Sequence, residues 1–407
     1  MVFGQVQTSL NFYFYGKKHF TKTGYEKNVK SYEEPNLLDE VDLTNQVFMI
    51  TGSNTGIGKE IALYAAKKGA RVFMICRSPD RAIAARDDII QQSNNQNVIF
   101  LQADISLEAD VRRVWNEFIN HPLAKVDSNS DGEGKVQLHG LVCNAGALLN
   151  TLTMTSEGLE TTFAAHLLFG TYLLGDLAMP ILQTSSSSSL SSSTGSRMII
   201  VSSGGMYNYA LPSWEVLTST NESSETNYNG NKAYAYAKRA QVILAEKWAL
   251  QYPNVKIVTA HPGWSASEGV DAAYGENKSW LEPMRSCWEG AEGICWLLAC
   301  KKDKIQSGEF YMDRKPQPKH IAGAFWFEGS ATKNTIDDVD MMMLNLKRWG
   351  AADSENENTT LWRPTIQRTQ EKIVSRRTNP EAIPTIVSSA TSKFRDAVGF
   401  LALSVFF

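Results

Sequence analysis

Two tyrosines stand ahead of one lysine in the stretch NKAYAYAKRA, residues 231–240. On an α-helix each residue advances by about 100°, so Tyr234 and Lys238 share a face while Tyr236 points away from both. An ammonium group beside a phenol stabilises the phenolate and lowers a pKa that is ordinarily about 10. The spacing therefore indicates a proton carrier that works near neutral pH. A surface helix that contains the pattern by chance is the alternative for this stretch alone.

Apolar, β-rich runs alternate with helical patterns from Gln46 onward, and these elements would position the pair. The runs are QVFMITG, ARVFMICR, NVIFLQAD, LHGLVCNAG, RMIIVSSGG and VKIVTAHPG. Because they are continuously apolar, we expect a sheet that is covered on both faces. The sequence predicts an α/β fold, a doubly wound parallel sheet of the Rossmann type flanked by helices.

A glycine-rich turn, TGSNTGIG, joins the first strand to the first helix of this series. Glycines allow a tight turn and a close approach of the backbone to a ligand, and the N-terminus of a helix favours a pyrophosphate. The turn therefore predicts a dinucleotide site formed by consecutive residues, Gly52, Ser53, Asn54, Thr55, Gly56, Ile57 and Gly58. Its spacing, Gly-x-x-x-Gly-x-Gly, differs from the common Gly-x-Gly-x-x-Gly fingerprint.

With this spacing the turn resembles that of the short-chain dehydrogenase/reductase family. Further motifs follow in the order found in that family, Asn144-Ala145-Gly146, Ser202-Ser203, Tyr234 with Lys238, and Pro262-Gly263. The resemblance covers about residues 45–316 and implies an oxidoreductase with a single catalytic domain. The stretches GKKHFTKTGYEKN, VSSGGM, HPGW and GEFYMDRKP are similar to one subgroup of the family, whose substrate is poorly defined.

The resemblance implies chemical roles for three residues. Tyr234 would be the catalytic acid and base, and Lys238 would lower its pKa and hold the nicotinamide ribose. Ser203 would hydrogen-bond the substrate oxygen and stabilise the charge that develops there. Ser202 is the second choice, and a strand-end turn residue is the structural alternative for Ser203. We expect reversible hydride transfer, without a metal, between NADP(H) and an alcohol or carbonyl group of a lipophilic molecule.

One position departs from the family pattern. The family usually places an asparagine on the helix after the fourth strand, where it orders the water of a proton relay. The matching stretch, FAAHLLFGTYLL, has His166 at or near that position and an apparent insertion of one residue. His166 either orders a water in place of the asparagine or fills the helix interface. The departure keeps a second function open, that of a catalytically weak nucleotide-binding interaction protein.

The end of the second strand bears on the choice of cofactor. An acidic residue there binds the ribose 2′-hydroxyl of NAD, whereas an arginine accommodates the 2′-phosphate of NADP. The strand ends with Cys76 and Arg77, and no carboxylate follows until Asp80, so NADP(H) is favoured over NAD(H). By the resemblance, Asp104 lies beside the adenine, and Ser267 stands where a threonine usually contacts the carboxamide. The other expected cofactor contacts are Asn144, Ala145, Gly146, Tyr234, Lys238, Pro262 and Gly263.

The composition bears on partners and location. The 407 residues include 40 basic and 43 acidic side chains, and a net charge of −3 gives no indication of nucleic-acid binding. Five cysteines without paired metal-ligand spacing indicate buried thiols in a reducing compartment. No secretory signal is recognisable. We expect a protein of the cytoplasm, or of the cytoplasmic face of an organelle membrane, that is not secreted. Its oligomeric state stays open.

Two extensions flank the predicted catalytic domain, residues 45–350. In the N-terminal extension, residues 1–44, four apolar side chains recur near helical spacing, Phe3, Val6, Leu10 and Phe14. This extension is either a strap packed on the core or a segment that contacts a membrane surface. Residues 351–407 are polar and lack clear periodicity, so we expect partial disorder there.

An aromatic-rich stretch, residues 264–288, should form a lid over the substrate. It contains Trp264, Tyr274, Trp280, Leu281, Met284 and Trp288. This density suits an apolar substrate, although packing onto the body of the domain is an equally simple reading. Two polar, low-complexity insertions, residues 127–135 and 184–196, are expected to be solvated loops away from the site.

Overall fold

The computed structural model of the protein describes residues 2–126, 134–186, 194–218, 228–321 and 332–350. Its strands are β1 Val47–Thr51, β2 Arg71–Cys76, β3 Val98–Gln102, β4 Lys125–Val126, β5 Lys135–Val136, β6 Gly140–Cys143, β7 Arg197–Val201, β8 Lys256–Ala260, β9 Phe310–Met312 and β10 Lys315–Gln317. Strands β4 and β5 form a separate hairpin, and the others form one sheet in the order β10-β9-β8-β7-β6-β1-β2-β3. Neighbours in that sheet are parallel except β9 and β10.

Helices surround this sheet. They are α1 Val2–His19, α2 Lys22–Val29, α3 Leu37–Glu40, α4 Gly56–Lys67, α5 Pro79–Ser93, α6 Glu108–Asn120, α7 Thr161–Phe163, α8 Leu174–Ser185, α9 Trp214–Thr218, α10 Gly230–Gln251, α11 Glu268–Tyr274, α12 Cys287–Ala299 and α13 Ile336–Gly350. A π-helical segment, Ala164–Leu173, joins α7 and α8 into one helix, Thr161–Ser185. Among the described residues it is the one helix apolar and long enough to cross a membrane. Because 72% of its apolar window is buried in the protein, it reads as a core helix.

Two apolar clusters cover the two faces of the sheet. Successive residues of β1 alternate between them: Val47 and Met49 join the cluster that contains α6 and α10, whereas Phe48 and Ile50 join the cluster that contains α4 and α12. All four side chains are fully buried. Because both faces of the strand are buried, side chains on both sides must be apolar, which is why the sequence from Val47 to Ile50 is continuously apolar. The predicted doubly wound α/β fold is confirmed.

The strand order reverses at β1, whose neighbours are β2 and β6. Thr51, the last residue of β1, accepts hydrogen bonds through Oγ1 from the N–H groups of Asn144 and Ala145, at 3.0 Å each. These bonds hold together the turns that follow β1 and β6. Ligands of open α/β sheets bind in the crevice at such a reversal, so the fold places a site at this edge.

The edge of the sheet beyond β8 is not predicted by the sequence patterns. Strands β9 and β10 have only three residues each, too few to show a periodicity. The turn between them holds Asp313 and Arg314 at positive φ angles of 50° and 64°. Most of the two polar insertions, residues 127–133 and 187–193, and the whole extension 351–407 lie outside the described residues.

The N-terminal helices pack against the body of the domain. Phe12, Tyr15 and Phe20 are buried in a third apolar cluster that includes Trp264. Phe14, in contrast, is 60% exposed. Of the apolar residues noted at helical spacing, Phe14 therefore faces away from the body, and Phe12, which was not among them, faces inward. Helix α1 thus has one side packed on the body and an exposed aromatic residue on the other.

Candidate active site

Helix α10 presents one of its two tyrosines to a cavity at the carboxyl edge of the sheet. Tyr234 lines this cavity, and Lys238 lies one turn further along with its Nζ 5.3 Å from the centre of the Tyr234 ring. Tyr236 does not line the cavity and packs on Tyr209, with ring centroids 5.4 Å apart. The side chain of Asn229 caps the first turn of the helix and fixes where it begins. The shared face of Tyr234 and Lys238 is the one that their spacing predicts.

Two serines follow β7 and differ in their contacts. Both line the cavity with Tyr234, and the Oγ of Ser203 accepts a hydrogen bond from the Gly205 N–H at 3.2 Å. Ser202 is 2% exposed, and its hydroxyl donates to the Lys238 carbonyl at 3.0 Å. The hydroxyl of Ser202 therefore ties β7 to α10. The geometry favours Ser203 as the serine that meets a substrate.

Burial shifts the pKa values of the tyrosine and the lysine in opposite directions. It raises the pKa of Tyr234, which the Ser203 hydroxyl partly opposes, and it lowers the pKa of Lys238 to about 7. Lys238 Nζ donates to the Val201 carbonyl at 2.8 Å. The expected lowering of the Tyr234 pKa by Lys238 is not found, because lost hydration outweighs a lysine that is only partly charged at neutral pH. Tyr234 is therefore a protonated phenol there, the state that a proton donor requires.

The glycine-rich turn forms another wall of the cavity. Gly52 and Gly56 have positive φ angles of 64° and 55°, which glycine adopts without strain. A Cβ at Gly58 would overlap the Gly52 carbonyl and the side-chain amide of Asn144. The side-chain amide of Asn144 donates to the carbonyls of Thr51 at 3.0 Å and Gly52 at 3.2 Å, and these bonds hold the first residues of the turn in place. The turn therefore leaves room for a ligand phosphate at the start of α4 and fits a dinucleotide pyrophosphate.

Ser53 is the exception among the residues predicted for this turn. It is fully buried, its hydroxyl donates to the Ile50 carbonyl at 3.0 Å, and it lies 3.6 Å from Cys76 Sγ. Its side chain supports the turn and does not line the cavity. The other predicted residues of the turn do line it, as do Asn144, Ala145, Gly146, Pro262, Gly263 and Ser267.

Arg77 and Asp104 lie together but apart from the catalytic residues. They follow β2 and β3, with Arg77 Nη1 3.5 Å from Asp104 Oδ2, and neither lines the cavity. The Arg77 side chain is 76% exposed. Asp104 also accepts hydrogen bonds from the Ser106 N–H at 2.9 Å and hydroxyl at 2.7 Å, which shape its loop. Both residues lie after neighbouring strands at the carboxyl edge, where the adenosine half of a dinucleotide would extend.

His166 occupies the π-helical segment, whose wider turn accommodates the single extra residue indicated by the sequence. The His166 ring meets the Tyr234 ring edge-on, with centroids 5.2 Å apart, and its Nε2 lies 3.1 Å from the Ala147 nitrogen. A Cβ at Gly146 would overlap the imidazole. Burial lowers the His166 pKa to about 3, so the ring is neutral at physiological pH. It both lines the cavity and fills the space beside the tyrosine.

The opposite wall of the cavity is aromatic and apolar. The lining residues there are Phe12, Trp264, Val270, Tyr274, Trp280 and Leu281, and the cavity has a volume of about 390 Å³. Met284 and Trp288, also predicted for the lid, do not line it. Ser267 lines it and caps α11 by accepting from the Val270 N–H at 3.4 Å. The lid stretch therefore contributes both to the cavity and to packing on the body.

Phe12 and His261 are among the lining residues that the sequence did not predict. His261 is buried, and neither of its ring nitrogens has a hydrogen-bond partner among the described residues. Burial lowers its pKa to about 3, so the imidazole is neutral. Because His261 directly precedes the Pro262-Gly263 motif, its position in the sequence could have predicted that it lies at the cavity. Phe12 lies in an extension without a motif, and no local pattern separates it from Phe14.

This sheet, turn and Ser-Tyr-Lys arrangement define a dinucleotide-binding oxidoreductase fold, and the chain belongs to the short-chain dehydrogenase/reductase family. A family profile described as short chain dehydrogenase matches residues 46–213. The chain is similar to dehydrogenase/reductase SDR family member 12 of Homo sapiens, at 36% identity over 75% of this chain and 88% of that protein. It is also similar to retinol dehydrogenase 12 of Homo sapiens, at 31% identity over 68% of this chain and 80% of that one. The family and the subgroup indicated by the sequence are confirmed.

Solved structures agree on the fold. A short-chain type dehydrogenase/reductase from Mycobacterium marinum superimposes with a TM-score of 0.51 at 20% identity, over 67% of this chain and 96% of that one. At this identity the likeness concerns the fold alone.

Proposed function

We propose that the protein is an NADP(H)-dependent oxidoreductase that transfers a hydride between the dinucleotide and an alcohol or carbonyl group of a lipophilic small molecule. One observation carries the proposal: Ser203, Tyr234 and Lys238 meet at a cavity between the glycine-rich turn and an aromatic wall. A phenol, a hydroxyl and an amine suffice for proton transfer and polarisation, so the proposal requires no metal.

In the direction of reduction, Tyr234 and Ser203 act on the same substrate oxygen. The glycine-rich turn would hold the pyrophosphate of the dinucleotide, and the bound cofactor would supply the hydride for the carbonyl carbon. The Tyr234 phenol gives its proton to the oxygen, the carbonyl becomes an alcohol, and the phenolate later regains a proton from solvent. Ser203 donates a hydrogen bond to that oxygen as charge develops, and protonated Lys238 stabilises the phenolate. Oxidation of an alcohol is the reverse sequence.

Arg77 supports NADP(H) over NAD(H). A guanidinium binds a phosphate through two parallel hydrogen bonds. The Arg77 guanidinium lies at the exposed end of β2, where a 2′-phosphate could reach it. Asp104 competes with the phosphate for the same guanidinium. The preference for NADP(H) should therefore be smaller than an unpaired arginine would give.

The aromatic wall supports a lipophilic substrate. Phe12, Trp264 and Trp280 offer apolar surface opposite the polar groups of Ser203 and Tyr234, an arrangement that orients an apolar molecule with one polar end. Several of the similar proteins are named retinol dehydrogenases, and retinol is an alcohol with a long apolar body.

The proposal is tested by adding aldehydes and ketones of increasing apolar size to the full-length protein with NADPH, and alcohols with NADP. We expect oxidation of NADPH by apolar aldehydes and slower oxidation of NADH. If protein that binds NADPH turns over none of these compounds, the proposed function is wrong.

A nucleotide-binding interaction protein with little turnover is the second candidate function. It is favoured by His166, which stands in place of the family's asparagine. The His166 carbonyl already accepts hydrogen bonds from Thr171 and Gln241, at 2.6 Å each, which leaves it less able to hold a relay water. This candidate predicts tight binding of NADPH without its oxidation.

We further propose that the protein works in the cytoplasm or at the cytoplasmic face of an organelle membrane. Its five cysteines are free thiols, which fits a reducing compartment. Exposed Phe14 on α1 offers one point of contact with a membrane surface.

A further inference from the structure

We infer that helix α1 is a fixed wall of the substrate cavity and that Phe12 determines how well bulky apolar substrates bind. This inference rests on the proposed oxidoreductase function and names a specificity-determining residue of that site. Helix α1 lies outside residues 46–213, the part of the chain that the family profile matches. The part of the cavity that it forms therefore lies outside the stretch that this profile describes.

Phe12 reaches the cavity from the N-terminal helix. It is 5% exposed and lines the cavity beside Trp264, Trp280 and Leu281. Its ring meets that of Trp264 edge-on, with centroids 6.2 Å apart, and that of Phe20 at 6.0 Å. The aromatic wall is thus assembled from two distant parts of the chain. A substrate that fills the cavity as far as this wall would contact Phe12.

A buried ion pair holds α1 in this position. Arg285 donates to the Phe20 carbonyl through Nε at 2.9 Å and to the His19 carbonyl through Nη2 at 2.8 Å. Asp313 neutralises the guanidinium, with Nη1 to Oδ1 at 2.5 Å and Nη2 to Oδ2 at 2.9 Å. The Phe20 carbonyl also accepts from the Trp264 N–H at 2.8 Å. The end of α1 is therefore tied to the lid stretch that supplies Trp264.

The rings of Phe12 and Phe20 also pack closely against the loop that carries Ser203. A Cβ at Gly204, the next residue, would lie 2.6 Å from the Phe20 ring and 3.0 Å from the Phe12 ring. The absence of a side chain at Gly204 lets both rings approach its backbone. Phe12, a residue of the aromatic wall, therefore also lies next to the loop that carries Ser203. A substrate held by Ser203 would meet the Phe12 ring on this side of the cavity.

Phe12→Ala and Phe14→Ala form a matched pair for the test, because they remove the same side chain from the same helix, once inside the cavity and once from the surface. The probe is 6-methoxy-2-naphthaldehyde, a fluorescent apolar aldehyde, and propanal is the small competitor. Binding of the probe to the full-length protein with NADP is followed by fluorescence polarisation, which requires no turnover. Propanal affinity is measured by displacement of the probe, and NADPH affinity by titration.

We expect Phe12→Ala to weaken naphthaldehyde binding at least fivefold, while propanal and NADPH affinities stay within twofold of wild type. Phe14→Ala should leave all three unchanged. If Phe12→Ala fails to fold, Phe12→Leu should give a smaller loss with the same selectivity. Equal effects of the Phe12 and Phe14 variants, equal losses for both aldehydes, or no binding of the probe to wild type would overturn the inference. If the probe binds but NADPH does not reduce it, that result would count against the proposed oxidoreductase function and not against the role of Phe12 in binding.

Discussion

Tyr234 and Lys238 lie one helical turn apart, with the lysine Nζ 5.3 Å from the centre of the phenol ring, yet the amine donates its hydrogen bond to the Val201 carbonyl of β7. The lysine thus joins the catalytic helix to the central sheet. Because burial lowers its pKa to about 7, its charge changes within the physiological range. Its effect on the Tyr234 phenol therefore depends on pH and on any charge that a ligand brings.

Lys238→Met should remove a pH-dependent part of the free energy of unfolding. The folded-state pKa is about 7, whereas an exposed lysine titrates near about 10.4. The penalty for burying the charge is fully present below about pH 7. Between the two pKa values the unfolded chain binds more protons, so this group makes wild-type stability rise by about 1.4 kcal/mol per pH unit. The variant lacks this slope.

Urea unfolding of wild type and Lys238→Met, without dinucleotide, checks this at several pH values between about 7 and 10. The stability of the variant minus that of wild type should fall steadily as the pH rises. A difference that does not change with pH would show that Lys238 keeps an ordinary pKa in the folded protein.

Arg77→Ala should weaken the binding of NADPH about tenfold and leave that of NADH within about twofold. A charge-assisted hydrogen bond contributes about 1.5–3 kcal/mol, and the exposure of Arg77 and its pairing with Asp104 favour the lower end. Arg86→Ala is the matched control, because it removes an arginine of α5 that pairs with Asp87 at 2.7 Å. Titration of both cofactors measures the effect. Equal losses for NADPH and NADH would remove Arg77 from this role.

Arg285→Met should lower the free energy of unfolding by about 3–5 kcal/mol, because it leaves the buried Asp313 carboxylate without its cation. The carbonyls of His19 and Phe20 also lose their donors. Lys247→Met breaks a surface pair with Asp340 and should change stability by less than about 1 kcal/mol. Urea unfolding compares the two variants. Similar small losses for both would mean that the Arg285–Asp313 ion pair does not hold α1 against the body of the domain.

The central sheet and the positions of the motifs could be predicted from the sequence. A strand buried on both faces is apolar at successive positions, as β1 is from Val47 to Ile50, so the runs between Val47 and Ala260 stand out. The motifs follow those strands, and parallel strands bring their carboxyl ends to one edge. The shared face of Tyr234 and Lys238 follows from helix geometry alone.

The N-terminal wall and the titration behaviour could not be predicted. Phe12 and Phe14 are chemically identical, so their side chains give no sign of which one enters the cavity. Phe12 does so because its ring packs on Trp264, far along the chain, and on Phe20, just after the helix. The spacing of Tyr234 and Lys238 likewise carries no information on how much water remains around them. Desolvation, which dominates both pKa shifts, depends on the packed tertiary structure.

Single-turnover reduction of an apolar aldehyde by NADPH, compared between Tyr234→Phe and Tyr236→Phe, tests most directly whether Tyr234 carries the proton. Each change removes one phenolic hydroxyl and keeps the ring, and only Tyr234 faces the cavity. General acid catalysis contributes about 10²- to 10⁴-fold, so Tyr234→Phe should slow the chemical step on that scale with NADPH binding nearly preserved. Tyr236→Phe should stay within a few-fold of wild type. A slow Tyr236→Phe beside an active Tyr234→Phe would contradict the account.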